Sequence, residues 1–189
     1  MNIIISGMTC SGKTTLSNEI SSIFYSCSII HEDDYFKDKD KLPHNKNYYL
    51  LDSPNAFNTI EFINDISTFL NTGKVFIPKY DVINNKRLSK DILINKSDIN
   101  IFEGLHTISL LNNIDGIKVF LDTKLDVCLE RRIKRDSVYG YKEEWIIENF
   151  NKVIIPLYKL YIESQKEYAD YVIKDGEDKK CLLKALMNC

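Results

Sequence analysis

Short apolar runs alternate with stretches of helical periodicity along most of the chain. Continuous apolar runs, which suit buried parallel strands, occupy residues 2–6, 28–31, 99–102, 117–121 and 171–174. Apolar positions at helical spacing predict helices over residues 13–25, 59–71, 126–135, 143–165 and 178–187. Pro156 is expected to kink or divide the fourth of these helices. Strands that alternate with helices predict an α/β fold whose mainly parallel sheet has helices on both faces.

Two further strand-like segments stand outside this alternation. Residues 75–80 and 87–94 are joined by a turn around Asn84 and Asn85, which predicts a hairpin insertion over about residues 75–95. The densely charged stretch 31–41 is predicted to be a loop. Because no repeat, low-complexity segment or Pro/Gly-rich linker interrupts the chain, residues 1–189 are predicted to form a single domain.

Composition and charge exclude several classes of function. The chain has 189 residues, 44% hydrophobic and 28% charged, with a formal net charge of -2, so no basic footprint for nucleic acid is expected. No apolar stretch approaches the roughly 20 residues that span a bilayer, and the N-terminal run lacks the basic flank of a signal peptide. Five scattered cysteines without a C-x-x-C pair predict neither a disulfide framework nor a zinc site. We therefore expect a cytoplasmic protein with no membrane partner.

Residues 7–14 carry the most specific motif of the chain. Their sequence Gly-Met-Thr-Cys-Ser-Gly-Lys-Thr fits G-x-x-x-x-G-K-[ST], with a predicted strand before it and a predicted helix after it. The glycines let backbone N–H groups curl around phosphate oxygens, Lys13 reaches the β- and γ-phosphates, and the Thr14 hydroxyl can ligate Mg²⁺. The candidate nucleotide-binding residues are Gly7, Thr9, Cys10, Ser11, Gly12, Lys13, Thr14 and Thr15. The loop alone does not separate a kinase from a GTPase or an ATPase.

Further motifs follow this loop in a fixed order along the chain. They are residues 32–37 (Glu-Asp-Asp-Tyr-Phe-Lys), 51–57 (Leu-Asp-Ser-Pro-Asn-Ala-Phe), 78–81 (Pro-Lys-Tyr-Asp), 102–104 (Phe-Glu-Gly), 131–136 (Arg-Arg-Ile-Lys-Arg-Asp) and 168–173 (Tyr-Ala-Asp-Tyr-Val-Ile). In this order they resemble the uridine kinase family, which includes nicotinamide riboside kinases and is related to phosphoribulokinase. The resemblance implies a three-layer P-loop fold with a helical lid over about residues 131–145. It also implies transfer of the ATP γ-phosphate, with Mg²⁺, to a nucleoside 5′-hydroxyl, most simply that of uridine or cytidine.

Asp33 is the candidate catalytic base. It lies twenty residues after Lys13, just beyond the second predicted strand, and adjacent strand ends of a parallel sheet share one crevice. A carboxylate there can take the proton of an acceptor hydroxyl, and the matching Asp of the family does so. Asp34 competes with Asp33 for this role, and a solvated acidic loop is the alternative without function.

Three more positions are assigned through the resemblance. Glu103 follows a strand and matches the family's Mg²⁺-holding carboxylate, so Thr14 and Glu103 form the expected metal site. Asp52 matches the Asp that accepts hydrogen bonds from the ribose hydroxyls, although it could equally be a turn residue before Pro54. Tyr80 and Phe36 are expected to contact the nucleoside.

The lid and the base-binding positions depart from the family pattern. Arg132 and Arg135 share a helix face and match lid arginines that stabilise the transferring phosphoryl group, so Arg132 also counts as a substrate contact. The family has two further lid arginines, and in this chain Tyr139 and Tyr141 stand in their place. Asn85 stands where uridine kinases carry a His that contacts the pyrimidine edge.

Four other functions stay open from the sequence. A nicotinamide riboside kinase or another small-alcohol kinase would share the same motifs. A GTP-dependent switch is suggested by residues 95–98, Asn-Lys-Ser-Asp, which fit the guanine-reading N-K-x-D pattern, but no D-x-x-G occurs in the chain. A non-catalytic nucleotide-binding protein would explain the missing lid arginines. Whether the chain forms a homo-oligomer is also left open.

Overall fold

The computed structural model describes residues 1–174 and 179–187 and has a parallel sheet at its centre. The strands are β1 Asn2–Gly7, β2 Cys27–His31, β3 Lys74–Ile77, β4 Tyr80–Asp81, β5 Lys86–Arg87, β6 Ile92–Asn95, β7 Ile99–Gly104, β8 Ile117–Asp122 and β9 Tyr171–Lys174. Five of them form the main sheet in the order β2-β7-β1-β8-β9, with every neighbouring pair parallel. The five predicted strands of the alternating pattern and the predicted α/β class are thereby confirmed.

Helices cover both faces of this sheet. They are α1 Lys13–Ile23, α2 Thr59–Thr72, α3 Thr107–Leu110, α4 Leu125–Ser137, α5 Glu143–Asn149, α6 Ile155–Leu157 and α7 Lys180–Met187. Successive side chains of a strand point to opposite faces, so Ile3 and Ile5 pack with α1 and α7 while Ile4 packs with α2. Sequence reasoning missed the short α3, and Asp178, the predicted start of the last helix, lies outside the described residues.

Residues 143–168 form one helical run in which the spacing of hydrogen bonds changes. α5 passes into π-helical turns at Phe150–Ile154 and Tyr158–Ile162, with α6 between them, and a 3-10 turn at Glu163–Tyr168 ends the run. Pro156 has no N–H to donate, and wider π turns on either side accommodate the lost bond. The expected division at Pro156 therefore appears in the hydrogen bonding, while Ile154 and Tyr158 keep helical dihedral angles.

The predicted hairpin consists of two short antiparallel ladders. β3 pairs with β6, and β4 pairs with β5, so the chain from 74 to 95 folds back on itself outside the main sheet. Between the two ladders the N–H of Leu88 still donates to the carbonyl of Lys79 at 2.8 Å. The stretch 31–41, predicted to be a loop, contains 3-10 turns at Glu32–Tyr35 and Lys39–Lys41. None of the helices in the described ranges is long and apolar enough to cross a membrane.

Candidate active site

The phosphate-binding loop, residues 7–14, joins the carboxyl end of β1 to the start of α1. Gly12 has φ 101° and Cys10 φ 61°, so the loop bends through left-handed conformations before the helix. A Cβ on Gly7 would lie 2.8 Å from the Leu121 carbonyl oxygen, so only glycine allows this approach to β8. The hydroxyl of Ser11 is buried without a hydrogen-bond partner. The cradle and the unpartnered hydroxyl are consistent with a bound phosphate.

Two cationic side chains donate hydrogen bonds to the carbonyl oxygens of this loop. Lys13 Nζ donates to the carbonyl oxygens of Gly7 at 3.2 Å and Met8 at 3.0 Å, which holds its charge at the mouth of the loop. Arg131 Nη1 donates to two carbonyl oxygens of the loop, those of Cys10 and Ser11, both at 3.3 Å. The sequence predicted a helix around Arg131 but gave this residue no role of its own. Because β8 lies beside β1, the helix that follows β8 runs past the loop, which is the structural reason for this contact.

The predicted lid arginines share one carboxylate. Arg132 is buried, donates to the Thr9 hydroxyl at 3.3 Å and forms an ion pair with Asp136, with 3.2 Å between Nε and Oδ2. Arg135 Nε donates to the other oxygen of Asp136 at 2.7 Å. The structure thus fixes both guanidiniums beside the loop. Sequence reasoning missed Asp136, although its i,i+4 spacing from Arg132 is a readable signal for an ion pair.

Thr14 and Glu103, the predicted metal ligands, lie in contact. The Thr14 hydroxyl donates to Glu103 Oε1 at 2.8 Å, and His31 Nδ1 lies 2.6 Å from the same oxygen. Burial raises the pKa of Glu103, but His31 and the charge of Lys13 outweigh burial and hold it below its usual value. An ionised carboxylate beside a threonine hydroxyl is a suitable pair of oxygen ligands for Mg²⁺. His31 received no role from the sequence, yet the sheet register places it opposite Glu103.

Asp33 lies on the 3-10 turn that follows β2, and we call residues 32–35 the base turn. The Asp33 side chain is accessible from the crevice, yet surrounding protein and then the charge of Glu103 raise its pKa to about 6. Lys13 acts in the opposite direction. The Asp33 carboxylate therefore lies close enough to Lys13 and Glu103 to feel their charges, in the region where a catalytic base is needed.

Asp34, the competing candidate, is engaged elsewhere. Its side chain is buried, its Oδ1 lies 3.0 Å from Lys79 Nζ, and the same oxygen accepts the N–H of Tyr80 at 3.3 Å. A carboxylate already bonded to an ammonium and a backbone amide is a poor acceptor for a substrate proton. The structure therefore favours Asp33 as the base.

Glu32 supports the base turn from beneath. It is fully buried, its Oε2 accepts the N–H of His106 at 2.8 Å, and a Cβ on Gly104 would overlap its side chain. Burial raises the pKa of Glu32 to about 8, which favours its protonated form, and lowers that of His106 to about 4, so His106 is neutral at pH 7. Gly104 is thus required by the close approach of Glu32.

Three of the residues predicted to bind the nucleoside are Asp52, Phe36 and Tyr80. Asp52 is buried with Oδ2 unpartnered, and burial raises its pKa while the charges of Arg132 and Lys13 oppose that shift. Phe36 packs on Tyr80 with ring centroids 5.2 Å apart. The charge of Asp52 contributes to the raised pKa of Asp33, so the two carboxyl groups lie near enough to interact. An unpartnered carboxylate oxygen suits the hydroxyls of a sugar, and an aromatic pair suits an attached base.

Asn85, Tyr139 and Tyr141 make their contacts away from the phosphate-binding loop, in the hairpin turn and in the lid. Asn85 forms the hairpin turn with φ 49°, and its carbonyl accepts the N–H of Lys39 at 3.3 Å. It lines an open cavity of about 500 Å³ with Asp38, Lys39, Asp40, Tyr49, Asn84 and Lys86. Tyr139 is 53% exposed, and Tyr141 stacks on Trp145 at 4.9 Å. The turn conformation explains Asn at position 85 without a substrate contact.

Residues 95–98, which fit the guanine-reading pattern, lie at the end of the sheet opposite to the phosphate-binding loop. They connect β6 to the amino end of β7, whereas the phosphate-binding loop follows the carboxyl end of the parallel neighbour β1. Ser97 and Asp98 use their N–H groups on Asn100 Oδ1 and Ser26 Oγ. This segment is a turn between two strands, and it is too far along the strands to read a base bound at the loop.

Comparisons with known proteins agree with this geometry. Residues 2–181 match the model of the phosphoribulokinase / uridine kinase family. A uridine kinase of Staphylococcus carnosus is 32% identical over 185 residues, covering 93% of this chain and 88% of the relative. A uridine kinase of Streptococcus mutans is 35% identical over 181 residues, covering 91% and 85%. The fold is shared with a Bacillus stearothermophilus structure described as a possible uridine kinase, with a TM-score of 0.68, 18% identity and 92% and 88% coverage.

Proposed function

The chain belongs to the phosphoribulokinase / uridine kinase family, which confirms the predicted resemblance, and we propose that it transfers the γ-phosphoryl group of ATP to the 5′-hydroxyl of a pyrimidine ribonucleoside. One observation carries this proposal. The accessible carboxylate of Asp33 lies near enough to Lys13, Glu103 and Asp52 to feel their charges, and its turn leads directly into Phe36 of the aromatic pair. A binding protein would need the loop and the aromatic pair but not this carboxylate.

On the donor side, the residues bind the phosphates of the nucleotide and do not transfer a proton. Backbone N–H groups of residues 7–14 and the ammonium of Lys13 bind the phosphates, and Arg131 keeps the loop in shape through its carbonyl oxygens. Thr14 and Glu103 would hold Mg²⁺. When bound, the ion neutralises charge on the phosphate oxygens.

On the acceptor side Asp33 moves the proton. The 5′-hydroxyl oxygen forms a bond to the γ-phosphorus, the bond from that phosphorus to the bridging oxygen breaks, and the hydroxyl proton passes to Asp33. Asp52 accepts hydrogen bonds from the 2′- and 3′-hydroxyls, and Phe36 with Tyr80 supports the base. The pKa of Asp33, raised to about 6, leaves it ionised at pH 7 and a better base than an ordinary aspartate.

The helical lid supplies positive charge to the transferring group. Arg132 and Arg135 are held in place by Asp136, so their guanidiniums need little ordering when phosphate binds. Closure of the lid over the substrates would exclude water from the transferred phosphoryl group. We place the reaction in pyrimidine salvage, and in the cytoplasm because the free thiols Cys10 and Cys27 fit a reducing compartment.

The experiment measures ADP release from Mg-ATP with a panel of acceptors. The panel holds uridine, cytidine, their 2′-deoxy forms, adenosine, guanosine, nicotinamide riboside and glycerol. Turnover with uridine or cytidine supports the proposal. Turnover only with nicotinamide riboside would move the assignment to the other branch of the family, and ATP binding without acceptor-dependent turnover would indicate a binding protein.

A further inference from the structure

The base turn is attached to the hairpin through one buried carboxylate. Asp34 sits next to Asp33, and its two oxygens lie 3.0 Å and 3.3 Å from Lys79 Nζ. Asp34 Oδ1 also accepts the backbone N–H of Tyr80 at 3.3 Å. One side chain therefore holds both the lysine and the first residue of β4, while its sequence neighbour is the candidate base.

The other side chains of the turn hold it to different elements. Glu32 accepts the N–H of His106 behind β7, and the Tyr35 hydroxyl donates to Asp65 of α2 at 2.9 Å. These contacts fix the turn to the main body of the protein. Asp34 is the member of the turn that bonds Lys79 and Tyr80 directly, whereas Tyr35 reaches the hairpin only through Asp65, which also accepts from Lys90. Arg87 anchors the far side of the hairpin to Asp38 and Glu61. The position of Tyr80 relative to Asp33 is therefore most directly set by the Asp34 contact.

The partner of Asp34 differs strongly from it in exposure. The side chain of Asp34 is 7% exposed, whereas that of Lys79 is 52% exposed. Removing the lysine leaves a buried carboxylate with one amide donor, which is costly, whereas removing the carboxylate leaves a lysine that water solvates. The two single substitutions are therefore expected to be unequal.

We propose that Asp34 and Lys79 form a positioning pair that sets the acceptor-binding aromatic residues of the crevice against the base Asp33. Within the described residues, no hydrogen bond or ion pair joins the pair to the phosphate-binding loop or to the candidate metal ligands. The charges of Asp34 and Lys79 act in opposite directions on the pKa of His31, the neighbour of Glu103. This inference rests on the proposed function for its kinetic consequences, but the link between base turn and hairpin stands on the contacts alone. Loss of the pair should weaken acceptor use while leaving ATP binding unchanged.

The test is a double-mutant cycle on the full chain, read through separate KM values for uridine and ATP. Lys79→Met should raise the KM for uridine about tenfold with the KM for ATP unchanged, since small displacements of positioned groups are costly. Asp34→Asn should raise it only about threefold, because the amide can still accept the N–H of Tyr80. The double variant should resemble Asp34→Asn, because with a neutral Asn at position 34 the loss of Lys79 leaves no unpaired buried charge. Lys41→Met removes a lysine that is 65% exposed in the same region and should change nothing.

Hydrogen exchange gives a second readout that needs no turnover. Amides of residues 79–88 should exchange faster in Lys79→Met than in wild type, and the double variant should partly restore protection. The proposal is overturned if the double variant is no better than Lys79→Met, if both KM values rise together, or if exchange in residues 79–88 does not change. Wild-type protein that turns over no nucleoside would contradict the proposed function alone, and the exchange experiment would then decide on the pair.

Discussion

The two sides of the crevice differ in how the chain supplies their residues. The phosphate side is built from residues 7–14 and one turn of α4, and its groups bind one another through backbone carbonyls and a shared carboxylate. The acceptor side takes Phe36, Asp52 and Tyr80 from three separate segments spread over more than forty residues, with α2 and β3 between the second and the third. Phosphate binding needs a fixed backbone shape, while acceptor choice depends on loops. The phosphate-binding loop keeps the family pattern, whereas the departures lie in the lid, at Tyr139 and Tyr141, and at the base-binding position Asn85.

The largest expected effect is at the boundary of the two sides. Asp33→Asn keeps the size of the side chain but removes the proton acceptor, so kcat should fall by about 10³-fold with both KM values little changed. Steady-state ADP release with uridine measures this. Asp34→Asn is the matched control, and a greater loss of kcat in Asp34→Asn than in Asp33→Asn would assign the base to Asp34.

Asp52→Asn tests the acceptor side alone. Replacing the charged acceptor of two hydroxyl hydrogen bonds should raise the KM for uridine about 30-fold and leave the KM for ATP unchanged. The effect should be smaller for 2′-deoxyuridine, which lacks one of those hydroxyls. Asp40→Asn, an exposed residue of the neighbouring loop, is the control. Equal losses for both nucleosides would remove the ribose contact from the account.

The pH dependence of the wild type tests the environment of Asp33. Surrounding protein and Glu103 raise the pKa of Asp33 to about 6, and the base acts only when ionised. Below pH 6, kcat/KM for uridine should therefore fall about tenfold per pH unit, and above pH 7 it should be level. A plateau that continues down to pH 5 would show that the carboxylate titrates in its ordinary range.

The smallest expected effect lies on the phosphate side. Arg131→Met removes donors to the carbonyl oxygens of Cys10 and Ser11 at a solvent-exposed position, so the KM for ATP should rise only about fivefold. The KM for uridine should stay constant. Lys134→Met, on an exposed position of the same helix, serves as the control. A change in the uridine KM of Arg131→Met would break the separation of the two sides.

The main elements of the fold were predictable because apolar patterns are local. The buried runs that became β1, β7 and β8 were read directly, and the glycine spacing of the phosphate-binding loop identified the donor site. The family resemblance added Asp33, Asp52 and Glu103 as candidates. All three lie at the same crevice in the structure.

The rest depended on contacts between distant segments. The bond from His31 to Glu103 requires the order β2-β7, and the pairing of Asp34 with Lys79 requires the position of the hairpin. Neither follows from spacing along the chain, since the partners are 72 and 45 residues apart. Asn85 shows the opposite problem, because the sequence suggested a substrate contact there. The left-handed turn conformation of Asn85 is by itself sufficient to explain an Asn at this position.

The most direct measurement of the central claim is the identity of the product. Incubation of the protein with Mg-ATP and uridine or cytidine, followed by ³¹P NMR, should show a nucleoside 5′-monophosphate and an equal amount of ADP. Asp33→Asn under the same conditions should form almost none. ATP consumption without a nucleoside monophosphate, or equal product formation by Asp33→Asn, would contradict the account.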